Sequence, residues 1–233
     1  MTSEALALKV DEQLSLIQNL GRLSSKIYVP TDADVLQSRL RTSGITETVF
    51  ELHQFNYHVF DVEGERSGRK KWVHVFEEID NLVFVVPLSG YDQCLIEDKT
   101  AVCILIISRT FLAATDGAYQ IQMQEALSLF RSILGLSWFK RIQITLLFTK
   151  LDLFKEKIKR KALSDLFPEY TGPNGDASAA LAFITHKFLS LNQDANRKLE
   201  ARYVDTRDTE RVRVFLEDLE RRILEDKRHV WGI

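Results

Sequence analysis

Apolar positions along the chain switch between two periods, and the switches mark the elements. Leu14, Ile17, Leu20 and Leu23 recur at helical spacing and predict a helix over residues 5–27, which Pro30 and the polar cluster Thr31-Asp32-Ala33-Asp34 then break. Two β-rich runs follow, Thr48–Phe55 and Tyr57–Val62, spaced to form an antiparallel hairpin across Asn56. A charged helical stretch, Arg66–Glu78, leads to Leu82–Val86, whose unbroken apolar run reads as a strand buried on both faces. The spacing predicts a helix over Gln122–Leu134, a second buried strand over Ile142–Phe148, a helix near Ala179–Leu191 and a short strand at Arg202–Asp205. Val212, Phe215, Leu216, Leu219 and Ile223 form one apolar stripe on a final helix. Strands alternating with helices imply an α/β fold with a mainly parallel sheet. In such folds ligands sit at the C-terminal ends of the strands.

Composition narrows the picture without naming a function. With 31 Lys+Arg against 33 Asp+Glu, the formal net charge is −2, which argues against a general nucleic-acid binder. Hydrophobic residues at 45% and only 10 Gly and 4 Pro exclude collagen-like, low-complexity and wholly disordered classes. Two cysteines, Cys94 and Cys103, do not make a disulfide framework and fit a reducing compartment. The run Ala101–Ser108 is far shorter than the ~20 residues that span a bilayer. Met1–Lys9 has no signal-peptide pattern, and Thr2 offers no glycine for a myristoyl chain. None of the five histidines has metal-ligand spacing, so no metal cluster is expected.

Two strand ends carry residues suited to nucleotide chemistry. Asp61-Val62-Glu63-Gly64 is an Asp-x-x-Gly in which the carboxylate suits a magnesium-bound water and the glycine amide a terminal phosphate. After the second buried strand, Thr149-Lys150-Leu151-Asp152 offers a carboxylate for the paired N–H groups of guanine and a lysine stem to cover the base. Taken singly, the first reads better as a strand-terminal turn, and the second as a surface lysine with a helix-capping aspartate.

Order and spacing supply what the single motifs lack. Tyr28-Val29-Pro30-Thr31-x-x-Asp34, continuing through Arg39-x-Arg41-Thr42-x-Gly44, resembles the linker and first switch of heterotrimeric G-protein α subunits. Asp61-Val62-x-Gly64-x-Arg66-Ser67-x-Arg69-Lys70-Lys71-Trp72 is similar to their second switch. Leu88-Ser89-x-Tyr91-Asp92, Trp138-Phe139, Leu151-Asp152-Leu153-Phe154 and Phe167-Pro168-Glu169-Tyr170 follow in the family's order. The resemblance covers roughly Leu14 to Ile233 and implies a Ras-like, doubly wound, mainly parallel sheet, here without its first strand. Residues 1–34 are then a remnant of the α-helical insert and its linker. Residues 35–233 form an incomplete GTPase-like domain with an apolar insertion at about 100–120.

The resemblance also implies roles, GTP/GDP and Mg2+ being the family's ligands; phosphoryl transfer in this family is a general template whose roles are inherited here. Arg39 matches the built-in arginine finger, whose planar guanidinium spreads over charge developing between phosphates. Thr42 and Asp61 match the magnesium-side residues, and Gly64 the amide that meets the terminal phosphate. Lys150 and Asp152 match the guanine-reading pair, with Thr149 where the family has asparagine and Thr206 in the loop that backs the base. Arg66, Arg69, Lys70, Lys71 and Trp72 match the helix that docks on the βγ dimer, and the last helix the receptor-engaging one. The alternative for Trp72 is that it faces the protein's own core.

Departures from the family pattern are as informative. No Gly-x-x-x-x-Gly-Lys-Ser/Thr occurs in the 233 residues, so the main cationic grip on a triphosphate is missing from them. Glu65 replaces the glutamine that orients the attacking water, and a carboxylate cannot donate to a phosphate oxygen. At ~4 Å and an effective dielectric near 20, each like-charge pair costs about 4 kcal/mol. Glu63 adds a second charge in place of glycine. Thr100–Tyr119 is expected to be a translated non-coding segment, the alternative being that Ala101–Ile107 refills the gap in the sheet. The expectation is a G-protein-α-like signal transducer, cytoplasmic and reaching the plasma membrane's inner face through partners, with GTP binding and hydrolysis weak or lost. The alternatives are a nucleotide-independent module binding βγ or a G-protein-coupled receptor, and a non-functional gene-model fragment.

Overall fold

A computed structural model describes residues 19–37, 42–52, 55–64, 66–76, 79–93 and 121–231. In chain order the elements are α1 (Leu20–Leu23), α2 (Asp32–Gln37), β1 (Ile45–Leu52), β2 (Phe55–Val62), α3 (Val73–Phe76), β3 (Asn81–Pro87), α4 (Gln122–Gly135), β4 (Gln143–Thr149), α5 (Leu151–Lys157), α6 (Ala177–Leu189), β5 (Leu199–Tyr203) and α7 (Thr209–Trp231). Short 3-10 turns at Arg69–Lys71, Leu88–Asp92, Ser137–Lys140 and Leu163–Asp165 connect them. The chain forms two compact units, one centred on Asn81–Ile233 and the other comprising Thr31–Asp80.

The larger unit is an α/β layer. Its sheet has the order β3-β4-β5, and both pairings are parallel, as the apolar runs predict. Every residue of β4 is buried, because strands flank it on both edges. An aromatic chain fills the space behind it. Phe84 meets Phe130 of α4 at 4.9 Å, Phe130 meets Phe188 of α6 at 5.8 Å, and Phe148 lies 5.6 Å from Phe188 and 5.5 Å from Tyr203. Offset and edge-on rings of this kind are favoured by the aromatic quadrupole. Asp176 caps α6 by accepting the Ser178 and Ala179 amides, satisfying donors the helix cannot.

β3 departs from the expected full burial. Val86 is buried, yet Val85 is 54% exposed, and among the described residues β3 pairs with β4 alone. An apolar run does not by itself distinguish a central strand from an edge. β5 likewise begins earlier than expected, at Leu199, because its register is set by Ile144↔Leu199 pairing with β4.

The smaller unit carries an antiparallel hairpin, β1 with β2, running from Ile45↔Val62 to Leu52↔Phe55. Asn56 therefore lies inside β2, opposite Glu51, rather than at the turn. The polar cluster read as a helix breaker instead starts α2. The Asp34 carboxylate accepts from both the Thr31 amide and hydroxyl at 2.8 Å, and the Thr31 hydroxyl accepts the Asp34 amide at 3.3 Å, a reciprocal cap. The stretch expected as one charged helix is split into the Arg69–Lys71 turn and the four-residue α3. Of the helix expected over residues 5–27, the described part is helical only at Leu20–Leu23; residues 5–18, Arg39, Glu65, both cysteines, the 100–120 insertion and the terminal Gly232 and Ile233 lie outside the described residues.

Candidate functional site

The cluster that the family resemblance would assign to the base side is built at the C-terminal end of β4. The strand ends at Thr149, which is buried and paired with Pro87 of β3. The backbone then reverses at Lys150 (φ 56°, ψ 40°), the one non-glycine residue with positive φ among those described. A left-handed conformation costs a non-glycine residue about 1–2 kcal/mol, and such residues concentrate at functional turns. The reversal starts α5 at once and sets Asp152 in its first turn.

The next contacts hold α5 against the sheet. Phe154 is fully buried and meets the Tyr91 ring edge-on at 5.5 Å. The Tyr91 hydroxyl donates to the Lys161 carbonyl at 3.0 Å. Burial, reinforced by the charges of Asp92 and Asp165, pushes the Tyr91 phenol above its ordinary range. Lys157 Nζ donates to the Ser89 carbonyl at 2.9 Å and to Asp92 Oδ1 at 2.8 Å. The Leu88–Asp92 turn after β3 is thereby fastened to α5. Two motifs that the sequence offered separately form one support for Lys150 and Asp152.

The loop after β5 completes this end. The Val204 amide donates to the Phe148 carbonyl at 3.0 Å, holding the loop to β4, and Thr206 sits exposed in the turn beyond. Arg207 lies over the cluster. Its Nη2 donates to Asp152 Oδ2 at 2.6 Å and to Asp205 Oδ2 at 3.0 Å, while its Nε donates to Asp205 Oδ1 at 3.0 Å. That hydrogen bonding holds the Asp205 carboxyl below the usual carboxylate range and raises the Arg207 guanidinium further. The Arg207–Asp152 ion pair joins residues 55 apart and was not expected from the sequence. The Asp205-x-Arg207 spacing was the available signal.

The switch-side cluster belongs to the smaller unit. The Thr42 hydroxyl donates to Asp61 Oδ2 at 3.1 Å. That spacing is close to the roughly 2.9 Å between neighbouring oxygens around an octahedral magnesium ion with bonds of about 2.0–2.1 Å. Two oxygens suit a cation that keeps waters and arrives with phosphates, not a closed protein cage. Gly44, at φ +74°, exchanges two bonds with Glu63: its carbonyl accepts the Glu63 amide at 2.8 Å, and its amide donates to Glu63 Oε2 at 3.0 Å. Only glycine adopts that backbone without strain. The Glu63 carboxylate lies so close to Gly68 that a Cβ there would come within 2.7 Å of Oε2.

The second-switch residues divide by exposure. Trp72 is 8% exposed, donates from Nε1 to the Glu63 carbonyl at 3.0 Å, and meets Phe76 edge-on at 6.0 Å. Arg69 stacks over Trp72 at 5.9 Å and donates from Nε to the Gly64 carbonyl at 3.2 Å. Gly64, Arg66, Lys70 and Lys71 are exposed. Trp72 thus serves the packing of its own unit in this conformation, while the basic side chains face solvent.

The parallel sheet of the larger unit ends in the left-handed turn at Lys150, and the antiparallel hairpin of the smaller unit ends in Asp61-x-x-Gly64. The sequence model of the G-protein alpha subunit family matches residues 5–223. The chain is 40% identical over 208 residues to the guanine nucleotide-binding protein alpha-2 subunit of Neurospora crassa, covering 89% of this chain and 53% of that protein. It is 40% identical over 207 residues to a guanine nucleotide-binding protein alpha subunit of Coprinellus congregatus (88% and 53%), and 37% identical over 215 residues to one of Pyricularia oryzae (92% and 55%). The chain belongs to the G-protein alpha subunit family, whose domain is Ras-like, and it spans about half the length of the curated relatives it matches.

Proposed function

We propose that this chain is a guanine-nucleotide-binding signal transducer of the G-protein alpha kind that keeps base recognition but binds and hydrolyses GTP weakly or not at all. The observation that carries the base end is the left-handed turn at Lys150, which delivers Asp152 beside Lys150 at the end of a fully buried strand. Ionised, Asp152 accepts only, which suits the N–H edge of guanine. Thr149 and Thr206 complete that end, and Gly64 meets the terminal phosphate. Thr42 and Asp61 would hold magnesium, which would screen phosphate charge. Arg39 is the arginine finger and Glu65 the impaired counterpart of the family glutamine. Residues 1–34 belong to the helical insert and linker, and residues 35–233 to the GTPase domain.

Weak triphosphate binding follows from the switch side. Glu63 already holds the Gly44 amide with a carboxylate. A phosphate arriving there meets like charge. Calorimetric titration of the 233-residue chain with GDP and a non-hydrolysable GTP analogue tests the proposal. Dissociation constants above the micromolar range are expected, and submicromolar binding overturns it.

A second reading is favoured by the same clasp. Gly44 and Trp72 both bond to Glu63, so protein groups by themselves join the two switch segments. With Arg66, Lys70 and Lys71 exposed, the unit suits a nucleotide-independent module that binds the βγ dimer, with receptor contact through α7 and location at the cytoplasmic face of the plasma membrane through these partners. Capture of βγ by wild type, by Trp72→Ala and by a Lys70→Glu, Lys71→Glu variant distinguishes the readings. Equal capture by all three removes this one.

A further inference from the structure

We infer that Arg207 is a specificity-determining residue of the base-side cluster: clamped by Asp205, its guanidinium competes with guanine for the Asp152 carboxylate. The inference rests on the proposed base recognition by Asp152 and goes beyond it. Its basis is the geometry of one turn. Arg207 bonds to both oxygens of Asp205, from Nε at 3.0 Å and from Nη2 at 3.0 Å, the fork arrangement that fixes a guanidinium most firmly. The Arg207 backbone amide adds a third bond to Asp205 Oδ1 at 3.1 Å. So held, Nη2 also reaches Asp152 Oδ2 at 2.6 Å, the shortest of these contacts.

The chemistry of the competition is direct. An ionised carboxylate offers acceptors alone. Guanine brings an N–H and an amino group to the same edge, and both need acceptors. With Arg207 on Oδ2, a guanine ring forms its full pair of bonds only after displacing a cation. The displaced guanidinium keeps Asp205 and is not stranded. The penalty is modest, because Asp152 and Arg207 side chains are 43% and 48% exposed and exposed pairs are weak. A purine without the 2-amino group demands less of Asp152 and is penalised less. Arg207 therefore narrows the preference for guanine over hypoxanthine.

Guanosine and inosine, which carry no phosphate, isolate this term. Both are titrated into the 233-residue chain as wild type, Arg207→Ala, Arg207→Lys and Asp205→Asn, with a thermal melt to establish folding. Arg207→Ala is expected to bind guanosine tighter by up to about fivefold, the range that loss of an exposed pair permits. Inosine should gain less, and Asp205→Asn should move both in the same direction by a smaller factor. Arg207→Lys keeps the charge without the fork and should fall between wild type and Arg207→Ala. A purely structural role would not reproduce the salt dependence. Added salt weakens the ion pair, so wild type should bind neutral guanosine better at high salt, and Arg207→Ala should not respond. Guanosine affinity unchanged or lowered in a folded Arg207→Ala chain overturns the inference and leaves base recognition standing, the guanidinium then being a reader of the base. If neither wild type nor any variant binds either nucleoside, base recognition by Asp152 fails and the inference fails with it.

Discussion

The two units of the molecule hold their candidate site residues by different means. At the base side, Lys150 and Asp152 follow a strand buried at every position, and α5 is held by Phe154, Tyr91 and Lys157. At the switch side, Thr42, Asp61 and Glu63 stand at the open end of a two-stranded hairpin whose Val49 and Val59 are largely exposed. Two strands alone bury little apolar surface and are marginal in water. There the arrangement depends on side-chain bonds to glycine amides and carbonyls. The first arrangement rests on buried packing, the second on a few hydrogen bonds.

Substitutions sharpen that contrast, and the largest effect is expected in the aromatic core. Phe148→Ala should cost about 3–5 kcal/mol in chemical denaturation, since it empties a fully buried site between Phe188 and Tyr203. Val59→Ala on the exposed hairpin should change stability by about 0.5 kcal/mol or less. Comparable losses at the two positions would erase the distinction.

A smaller effect is expected at Tyr91. Its raised phenol pKa means that the neutral form is favoured by folding. The stability it contributes is complete below about pH 10, the unfolded value, and is lost as pH rises from there toward the folded value. Tyr91→Phe should remove the bond to Lys161, at about 1 kcal/mol near neutrality, and flatten the alkaline fall of the melting temperature. An unchanged alkaline limb would mean that the phenol is not buried as described.

The smallest effect is local to the clasp. Glu63→Ala should speed hydrogen exchange at the Gly44 amide, while the Trp72 indole N–H, bonded to the Glu63 backbone, keeps its protection. Simultaneous loss at both would mean that the carboxylate organises the whole second switch.

Much of this was legible in the residues themselves. The parallel strands, α4, α6 and α7 follow from apolar spacing, and the support for α5 lies in the Ser89-x-Tyr91-Asp92 and Phe154 to Lys157 blocks already singled out. Thr31-x-x-Asp34 was legible too, but as a cap rather than a break, because its polar side chains satisfy each other at a helix start. The Arg66–Glu78 stretch looked like one helix on charge spacing, yet burial of Trp72 against Glu63 interrupts it. Glu63 looked like a charge aimed at a phosphate, and it turns instead onto Gly44.

By itself, the order of residues determined the family, the strands and the positions where chemistry stands at strand ends. These follow from local backbone preference and polarity, which are properties of neighbouring residues. Only the tertiary structure decided that β4 is central and β3 carries an exposed valine, and that Arg207 meets Asp152. Strand neighbours are chosen by pairing between distant segments, and an ion pair across 55 residues exists only after β5 has aligned on β4 and brought the following turn to α5.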